Sequence, residues 1–372
     1  MIGTSMNVML LAAGRSTRLG PLGLALPKPL VPVCGYPAIR FGLHAAARAG
    51  ARRAVVNVFH RGDLVQTTLG DGRSTGLEIA YSVEDELLGT GGGIAKARAL
   101  FGPGPVLVMN AKVVADLDLP SLLGAHARAS AVATMLLRDD PEPRRWGAIT
   151  VDASGRVVGI LDARSPRPPE GPTRERMFTG VHVLEPALLD RLQPVVCDVI
   201  RDAYLPALLA GETIRAATLT GYFAEHSTPA RYLEGNLALL RRPGLLAHPP
   251  GDLTGIDGAA EVDGSARIAS PVRIEAGAVV EPGAEVGSLV VLGQGARVAA
   301  GVRVARAIVW PGATVTTHVR DAVVTPTGTV EVEVEVEVDE NSALASLSSR
   351  RHVCPRSLSA ARSRDRTATP RS

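Results

Sequence analysis

Apolar and polar segments alternate along the first two thirds of the chain. The apolar run at residues 8–12 and the mostly apolar segments at 54–59 and 106–110 are typical of buried strands, whereas residues 37–50 repeat apolar side chains at the spacing of one helical face. Because strands that alternate with helices pair in parallel through crossover connections, this pattern predicts a doubly wound α/β domain. Such a domain binds its ligand in the loops that follow the carboxyl ends of its strands.

The apolar pattern changes to a period of six in the last third of the chain. Aliphatic residues recur at every sixth position from Val262 to Val304, and Trp310 takes the next position in that register. Gly, Pro, Ala and Ser are frequent between these positions. One inward aliphatic side chain in every six residues predicts a parallel β-helix, in which each short strand stacks on the next coil.

These patterns predict four parts. The α/β domain occupies residues 1–241, a Pro/Gly-rich linker residues 242–257, and the β-helix residues 258–328. The remaining residues, 329–372, include the acidic repeat EVEVEVEVDE at 331–340 and then a segment rich in Ser, Ala and Arg. We expect this tail to be disordered, because residues 342–372 have too little apolar surface to offset the loss of chain entropy on folding. The acidic repeat has two interpretations, a final strand of the β-helix or a solvated tether.

Composition narrows the class of protein. With 46% hydrophobic residues and a formal charge of +3, the chain can build its cores and shows no excess charge that would indicate nucleic-acid binding. Its three cysteines lie far apart, which predicts a reducing compartment without disulfides. No apolar run approaches the ~20 residues that cross a membrane. We therefore predict a soluble cytoplasmic protein that binds neither nucleic acid nor membrane.

The loop after the first strand has the composition of an anion site. Its residues 12–18 read Ala-Ala-Gly-Arg-Ser-Thr-Arg, and Lys28 follows in the sequence PKPL. Gly14 permits close approach of the backbone to a ligand, and the guanidiniums, the hydroxyls and Lys28 can bind oxyanions, so a phosphate chain is the expected ligand. The loop lacks the glycine spacing of dinucleotide-binding and P-loop proteins, which excludes both classes.

Residues 7–33, NVMLLAAGRSTRLGPLGLALPKPLVPV, closely resemble the signature LAAGxGTRLxPLTxxxPKPLxPV of the sugar-1-phosphate nucleotidyltransferases, or sugar-nucleotide pyrophosphorylases. The chain is similar in particular to the mannose-1-phosphate guanylyltransferases and their relatives, many of which carry a left-handed hexapeptide-repeat β-helix. The resemblance implies a mixed sheet of the nucleotide-diphospho-sugar transferase type. It also implies that a nucleoside triphosphate and a sugar 1-phosphate are joined into an NDP-sugar with release of pyrophosphate. Two departures from the signature are Ser16, in place of glycine, and Gly23, in place of threonine.

The resemblance also assigns roles to individual residues. Arg18 is expected to stabilise the leaving pyrophosphate, and Lys28 the α-phosphate. Residues 84–94, EDELLGTGGGI, resemble the family's LGTAGAL element, which lies along the base and sugar of the nucleotide. The predicted nucleotide-binding residues are Ala12, Ala13, Gly14, Arg15, Ser16, Thr17, Glu84, Gly89, Gly91 and Gly92. The predicted sugar-binding residues are Asn110, Thr179 and Gly180.

The largest departure from the family lies after the fourth strand. The family has Asn-Gly-Asp there, and the aspartate coordinates the catalytic Mg²⁺, whereas this chain has Asn110-Ala111-Lys112. The second metal ligand of the family, also an aspartate, corresponds to Glu225. Because an ammonium group cannot ligate a metal, Mg²⁺ is expected either at Glu225 or on the incoming nucleotide, and Lys112 is predicted to be a third catalytic cation.

Two interpretations of function stay open at this stage. The chain is either a sugar-1-phosphate nucleotidyltransferase or a regulatory paralogue that binds a nucleotide or NDP-sugar with little or no turnover. Because Arg18 and Lys28 are both present, the enzyme is favoured. Acyl transfer by the β-helix is disfavoured, since residues 262–310 contain no histidine to act as a base. The β-helix is a candidate surface for homo-oligomers, and the base and the sugar are not determined.

Overall fold

The computed structural model describes residues 6–333. The predicted disorder of the tail lies almost wholly outside these residues, as does Cys354, while Cys34 and Cys197 are both free thiols. The described residues belong to one compact unit that ends at Glu333. The predicted division into a domain, a linker and a β-helix domain therefore stays a prediction.

Strands and helices alternate through residues 7–241, as the apolar pattern predicts. The strands are β1 (Asn7–Leu11), β2 (Pro32–Val33), β3 (Tyr36–Pro37), β4 (Arg53–Val58), β5 (Glu78–Val83), β6 (Val106–Asn110), β7 (Val113–Ala115), β8 (Ala133–Arg138), β9 (Ile149–Val151), β10 (Val157–Ile160), β11 (Ala163–Arg164), β12 (Arg174–Leu184), β13 (Ile214–Thr218) and β14 (Phe223–Glu225). The α-helices are α1 (Pro21–Ala25), α2 (Ala38–Arg48), α3 (Gly62–Leu69), α4 (Gly89–Ala97), α5 (Leu119–Arg128), α6 (Pro186–Leu189), α7 (Leu205–Leu209) and α8 (Pro229–Arg241), and a π-helical turn (Ile200–Tyr204) precedes α7.

One mixed sheet of ten strands forms the centre of this region. Strands β5, β4, β1 and β6 are parallel neighbours, and β12 runs antiparallel to β6, β8 and β9. Val8 and Leu10 of β1 pack with α2, α3 and α5 on one face, and Met9 packs with α4, α6 and α7 on the other. Because both faces are covered, β1, β4 and β6 are mostly apolar, with polar residues mainly at or near their ends. The predicted doubly wound mixed sheet is confirmed.

The last third of the described chain is a stack of short parallel strands. They are β15 (Gly255–Ile256), β16 (Glu261–Val262), β17 (Arg267–Ile268), β18 (Val272–Ile274), β19 (Val279–Val280), β20 (Glu285–Val286), β21 (Val290–Leu292), β22 (Arg297–Val298), β23 (Arg303–Val309), β24 (Thr314–Val315), β25 (Val319–Thr325) and β26 (Gly328–Glu331).

Each coil of this stack takes three hexapeptides. Val262 pairs with Val280, and Val280 pairs with Val298, so equivalent residues lie 18 positions apart. The aliphatic residues of the repeat are buried from Ile274 to Val304. The predicted parallel β-helix is confirmed, and its handedness stays a prediction. Residues 329–331, which we assigned to the tail, instead belong to β26, which pairs antiparallel with β25.

The prediction for Trp310 is wrong in one respect. Leu292 pairs with Val309, 17 positions later, so this coil is one residue shorter than the coils that precede it. Val309 therefore fills the interior of the β-helix, and Trp310 turns outward into a cluster with Tyr232 and Leu233 of α8. The Trp310 indole N–H donates a hydrogen bond to the Tyr232 hydroxyl oxygen at 2.9 Å. This cluster joins the β-helix to the α/β region.

Among residues 6–333, no helix combines the length and the apolar character that a membrane crossing requires.

Candidate active site

A cavity of ≈ 420 Å³ opens where β1, β4 and β6 end, at the sheet edge where the fold predicts a ligand. We call it the central cavity. Eleven of the predicted site residues line it: Ala12, Ala13, Gly14, Arg15, Ser16, Thr17, Arg18, Lys28, Gly89, Asn110 and Lys112. Its other lining residues, which the sequence analysis did not identify, are Leu11, Pro29, Asn57, Leu87 and Thr90.

The two departures from the signature lie against each other in the first loop. Ser16 adopts a left-handed backbone with φ of 57°, and its hydroxyl oxygen accepts a hydrogen bond from the Lys28 N–H at 2.8 Å. A Cβ atom on Gly23 would lie 2.3 Å from the Ser16 carbonyl oxygen. A larger residue at position 23 is therefore incompatible with this loop, which explains why Gly23 replaces the threonine of the family signature. Ser16 also ties the loop to the backbone of Lys28.

Asn57 and Glu84 form a buried network behind the cavity wall. Asn57 Oδ1 accepts a hydrogen bond from the Ala12 N–H at 2.8 Å, and Asn57 Nδ2 donates one to Glu84 Oε1 at 2.7 Å. Glu84 Oε2 accepts the Leu88 N–H at 3.0 Å. Both carboxylate oxygens are thus occupied, and Glu84 is only 4% exposed. We expected Glu84 to contact the nucleotide, but the structure places it as a residue that positions Asn57 and the first loop.

The glycine-rich segment begins α4 at Gly89, four residues earlier than the sequence pattern predicts. Gly89 lines the central cavity, but Gly91 and Gly92 do not. Their N–H groups donate to the Cys197 carbonyl oxygen at 3.0 and 3.4 Å, and a Cβ on Gly92 would lie 2.0 Å from the Val195 carbonyl oxygen. These two glycines therefore permit close packing of the 195–197 segment on α4, instead of the nucleotide contact that we expected.

Of the three predicted sugar-binding residues, one lines the central cavity and two do not. Asn110, the last residue of β6, lines the central cavity. Gly180 has φ of 77°, and a Cβ there would lie 2.0 Å from Asn110 Nδ2, so Gly180 makes room for the Asn110 side chain. The Thr179 hydroxyl is buried and donates to the Leu136 carbonyl oxygen at 2.7 Å. Gly180 thus makes room for Asn110, Thr179 is bonded to β8, and neither residue lines the central cavity.

Lys112 and Glu225 meet because β7 and β14 pair antiparallel, with Val113 opposite Glu225. Lys112 Nζ lies 2.6 Å from Glu225 Oε1, and an Arg18 guanidinium nitrogen lies 3.9 Å from the same oxygen. Burial by itself raises the pKa of Glu225, but the Lys112 and Arg18 charges and the hydrogen bond from Lys112 outweigh it and hold the pKa below its usual value. Glu225 is therefore ionised and paired.

Lys28 completes a group of three cations at the cavity. Burial lowers its pKa to about 8, and the nearby charges of Lys112 and Arg18 contribute to this shift. The repulsion among these cations is only partly offset by Glu225, so the cavity presents a net positive charge to its ligand. Such a site attracts a polyanion, as the composition of the first loop predicts.

A second, smaller cavity of ≈ 280 Å³ lies on the other side of Glu225, and we call it the side cavity. Arg138, Trp146, Phe223 and Arg231 line it together with Glu225. The Arg231 guanidinium lies 4.3 Å from the centre of the Trp146 ring, and the Arg138 guanidinium 5.2 Å from the centre of the Phe223 ring. The sequence analysis did not identify the two arginines or Trp146, because no local pattern distinguishes them.

The comparisons with known proteins agree with this geometry. The model of the nucleotidyl transferase family matches residues 7–205. A mannose-1-phosphate guanylyltransferase from Mycobacterium tuberculosis is 32% identical over 261 residues, which cover 68% of this chain and 71% of that protein. The chain belongs to the nucleotidyl transferase family. More specifically, it is a member of the sugar-1-phosphate nucleotidyltransferases, as the first loop predicts.

A further relative and a solved structure match a smaller share of this chain. The catalytic subunit beta of mannose-1-phosphate guanylyltransferase from Drosophila pseudoobscura pseudoobscura is 26% identical, and the match covers 63% of this chain and 62% of that protein. The crystal structure of HddC from Yersinia pseudotuberculosis aligns with a TM-score of 0.53 at 19% identity, covering 63% of this chain and 99% of HddC. This structural similarity supports the fold.

The residues at the family's metal position do not fit Mg²⁺ in this chain. Hard divalent cations take oxygen ligands, and the carboxylate of Glu225 is held by Lys112 at 2.6 Å. Asp116 Oδ1 accepts the Ala247 N–H, and Asp118 caps the first turn of α5. Within residues 6–333, no group of three or more His, Cys, Asp or Glu side chains is arranged to hold a metal ion. The expected ligation of Mg²⁺ by Glu225 therefore conflicts with this geometry.

A buried histidine beneath the site makes stability depend on pH. His226 follows Glu225, and within the described residues neither ring nitrogen has a hydrogen-bond partner. Burial lowers its pKa to about 4, and burial lowers that of His182 to about 3. Both imidazoles ionise near pH ~6.5 in an unfolded chain, so the unfolded state binds more protons between about pH 4 and 6.5.

We therefore predict that the free energy of unfolding falls as the pH drops below about 6.5, by up to ~1.4 kcal/mol per pH unit for each histidine. Urea unfolding at pH 7.5 and 5.5 measures this slope. His226→Leu removes one of these groups and is expected to reduce the slope by up to ~1.4 kcal/mol per pH unit. An unchanged slope in this variant would show that His226 does not contribute.

Proposed function

We propose that the chain joins a nucleoside triphosphate to a sugar 1-phosphate, forming an NDP-sugar and pyrophosphate. The observation that carries this proposal is the convergence of Arg18, Lys28 and Lys112 on a cavity at the carboxyl end of β1, in a member of this family. Because these relatives are named mannose-1-phosphate guanylyltransferases, GTP and mannose 1-phosphate are the first substrates to test.

The proposed chemistry is an in-line displacement at the α-phosphorus. An oxygen of the sugar 1-phosphate attacks, the bond from the α-phosphorus to the bridging oxygen breaks, and that oxygen leaves with the pyrophosphate. Positive groups fixed near the transferring and leaving phosphates lower the barrier, because they stabilise the charge of the transition state without reorganising. We assign Lys28 and Lys112 to the α-phosphate and Arg18 to the leaving pyrophosphate.

The backbone of the first loop is proposed to hold the rest of the triphosphate. Residues 12–17 line the central cavity, and Gly14 permits the close approach that phosphate oxygens require. Leu87, Gly89 and Thr90 line the same cavity and are proposed to contact the nucleoside. Mg²⁺, where the reaction uses it, is proposed to arrive on the nucleotide and not on Glu225.

The side cavity is proposed to receive the sugar 1-phosphate. Its lining includes two guanidiniums, Arg138 and Arg231, which can pair with a phosphate, and Trp146, which supplies an aromatic face. The carboxylates of Asp140 and Glu234 line the same cavity and can accept hydrogen bonds from sugar hydroxyls. Glu225 lines the side cavity, while its partner Lys112 lines the central cavity. The Lys112–Glu225 ion pair therefore lies where the phosphate of the sugar would meet the α-phosphate of the nucleotide.

The alternative, a regulatory paralogue with little turnover, is suggested by the same ion pair, because it occupies the metal position. Release of pyrophosphate distinguishes the two functions. The purified chain is incubated with each nucleoside triphosphate paired with mannose 1-phosphate or glucose 1-phosphate, with and without Mg²⁺. Pyrophosphate release that requires both substrates supports transfer, whereas nucleotide binding without release under any pairing supports the paralogue. We propose the cytoplasm as the location, since the three widely spaced cysteines fit a reducing compartment.

A further inference from the structure

The electrostatics of the central cavity differ from those of a site built for a divalent cation. Lys112, Lys28 and Arg18 surround a single carboxylate, that of Glu225. Side chains of Lys112 and Glu225 are only 22% and 13% exposed, so water screens their charges weakly. A divalent cation entering here would have to displace the Lys112 ammonium from Glu225 and approach two further cations. The negative charge of a polyphosphate, in contrast, is complementary to the net positive charge of this cavity.

The choice of lysine at position 112 is unusual for this chain. Only three of its 40 Lys and Arg residues are lysines, namely Lys28, Lys96 and Lys112. Two of the three line the central cavity, and Lys96 pairs with Asp85 at the surface. An ammonium is a compact point charge with three donors, whereas a guanidinium is a broad planar group. A compact cation is the side chain best able to take the place of a metal ion between a carboxylate and a phosphate.

We propose that the central cavity binds the triphosphate of its nucleotide without a protein-bound divalent metal, and that the Lys112 ammonium, held by Glu225, occupies the place of the ion. This inference rests on the proposed function. Lys112 is the residue that contacts phosphate, and Glu225 is a positioning residue that orients the ammonium. In such a site metal-free nucleotide binds as well as its Mg²⁺ complex does.

The test measures binding and not turnover. The dissociation constants of GTP and of inorganic tripolyphosphate, which is independent of the base, are measured calorimetrically in Mg²⁺ and in EDTA. For the unmodified chain we expect values in EDTA that are no more than about threefold weaker than in Mg²⁺, a difference of under ~0.7 kcal/mol.

Lys112→Asp provides the sharper comparison, because it places a second carboxylate beside Glu225. We expect this variant to bind at least about tenfold more weakly than the unmodified chain in EDTA, and to regain at least about tenfold when Mg²⁺ is added. Lys96→Asp makes the same change of charge at the surface and is expected to leave both constants unchanged. Lys112→Met is expected to lose affinity in both buffers, and circular dichroism checks that each variant is folded.

Four outcomes would overturn the inference. Binding by the unmodified chain that weakens more than about tenfold in EDTA would show that a metal is required. A folded Lys112→Asp variant with no gain from Mg²⁺, or a folded Lys112→Met variant with unchanged affinity, would show that Lys112 does not occupy the metal position. If neither GTP nor tripolyphosphate binds in either buffer, the inference and the proposed function both fail, whereas metal-independent binding without pyrophosphate release contradicts the proposed function alone.

Discussion

Replacing Lys28 by methionine is expected to lower the rate of NDP-sugar formation by about 10²–10³-fold, because it removes a preorganised positive charge from the α-phosphate. Methionine keeps most of the length and apolar surface of the lysine side chain, so the first loop retains its packing. The loop also keeps the hydrogen bond from the backbone N–H of residue 28 to Ser16, since this bond does not involve the replaced side chain. Steady-state pyrophosphate release by the unmodified chain and the variant measures the effect.

The pH dependence of NDP-sugar formation is a second test of the role of Lys28. The pKa of Lys28 in the free protein is about 8, so the ammonium is charged below that pH and is lost above it. We predict that kcat/KM falls as the pH rises through about 8, because kcat/KM reports groups of the free enzyme. Lys28→Arg keeps its charge at all accessible pH values and is expected to move this decline upward. A Lys28→Met variant with full activity would contradict the role of Lys28.

Replacing Trp310 by alanine is expected to lower the free energy of unfolding by about 3–5 kcal/mol. Trp310 is only 2% exposed, packs edge-on against Tyr232 at 6.3 Å between ring centres, and donates a hydrogen bond to the Tyr232 hydroxyl. Alanine leaves a cavity where the β-helix meets α8 and removes the donor. Urea unfolding followed by circular dichroism measures the loss.

Trp310→Phe separates packing from hydrogen bonding. Phenylalanine retains most of the aromatic contact but cannot donate to Tyr232, so we expect a smaller loss of about 1 kcal/mol, together with any small loss in packing. Trp146→Ala serves as a matched control for a tryptophan that is only half-buried in the α/β region. Equal unfolding free energies for Trp310→Ala and the unmodified chain would show that this cluster does not stabilise the fold.

Periodicity made much of the fold predictable from the sequence. The strands β1, β4 and β6 are covered on both faces, so their sequences are mostly apolar, and the hexapeptide repeat follows from one buried residue in six. The first loop was predictable because its charges and small residues are adjacent in sequence. All of its residues from Ala12 to Arg18 line the central cavity.

The contacts that the sequence analysis missed join segments that are distant in the sequence. Lys112 and Glu225 meet only through the pairing of β7 with β14, two strands of three residues each, which are too short to show periodicity. Residues 195–197 pack closely against Gly91 and Gly92, which leaves no room for larger side chains there. No local sequence pattern distinguishes this packing role from contact with a ligand. Trp310 does not occupy the predicted inward position, because its coil is one residue shorter than the coils that precede it.

The most direct test of transfer at the central cavity is mass-spectrometric identification of the product. The full chain is incubated with GTP and mannose 1-phosphate, and then with the other pairs of nucleoside triphosphate and sugar 1-phosphate, with Lys28→Met as the control. We predict an NDP-sugar that accumulates in equal amount to pyrophosphate in at least one pairing, and a strongly reduced yield in the variant. Nucleotide binding by the folded chain with no NDP-sugar in any pairing would contradict the assignment.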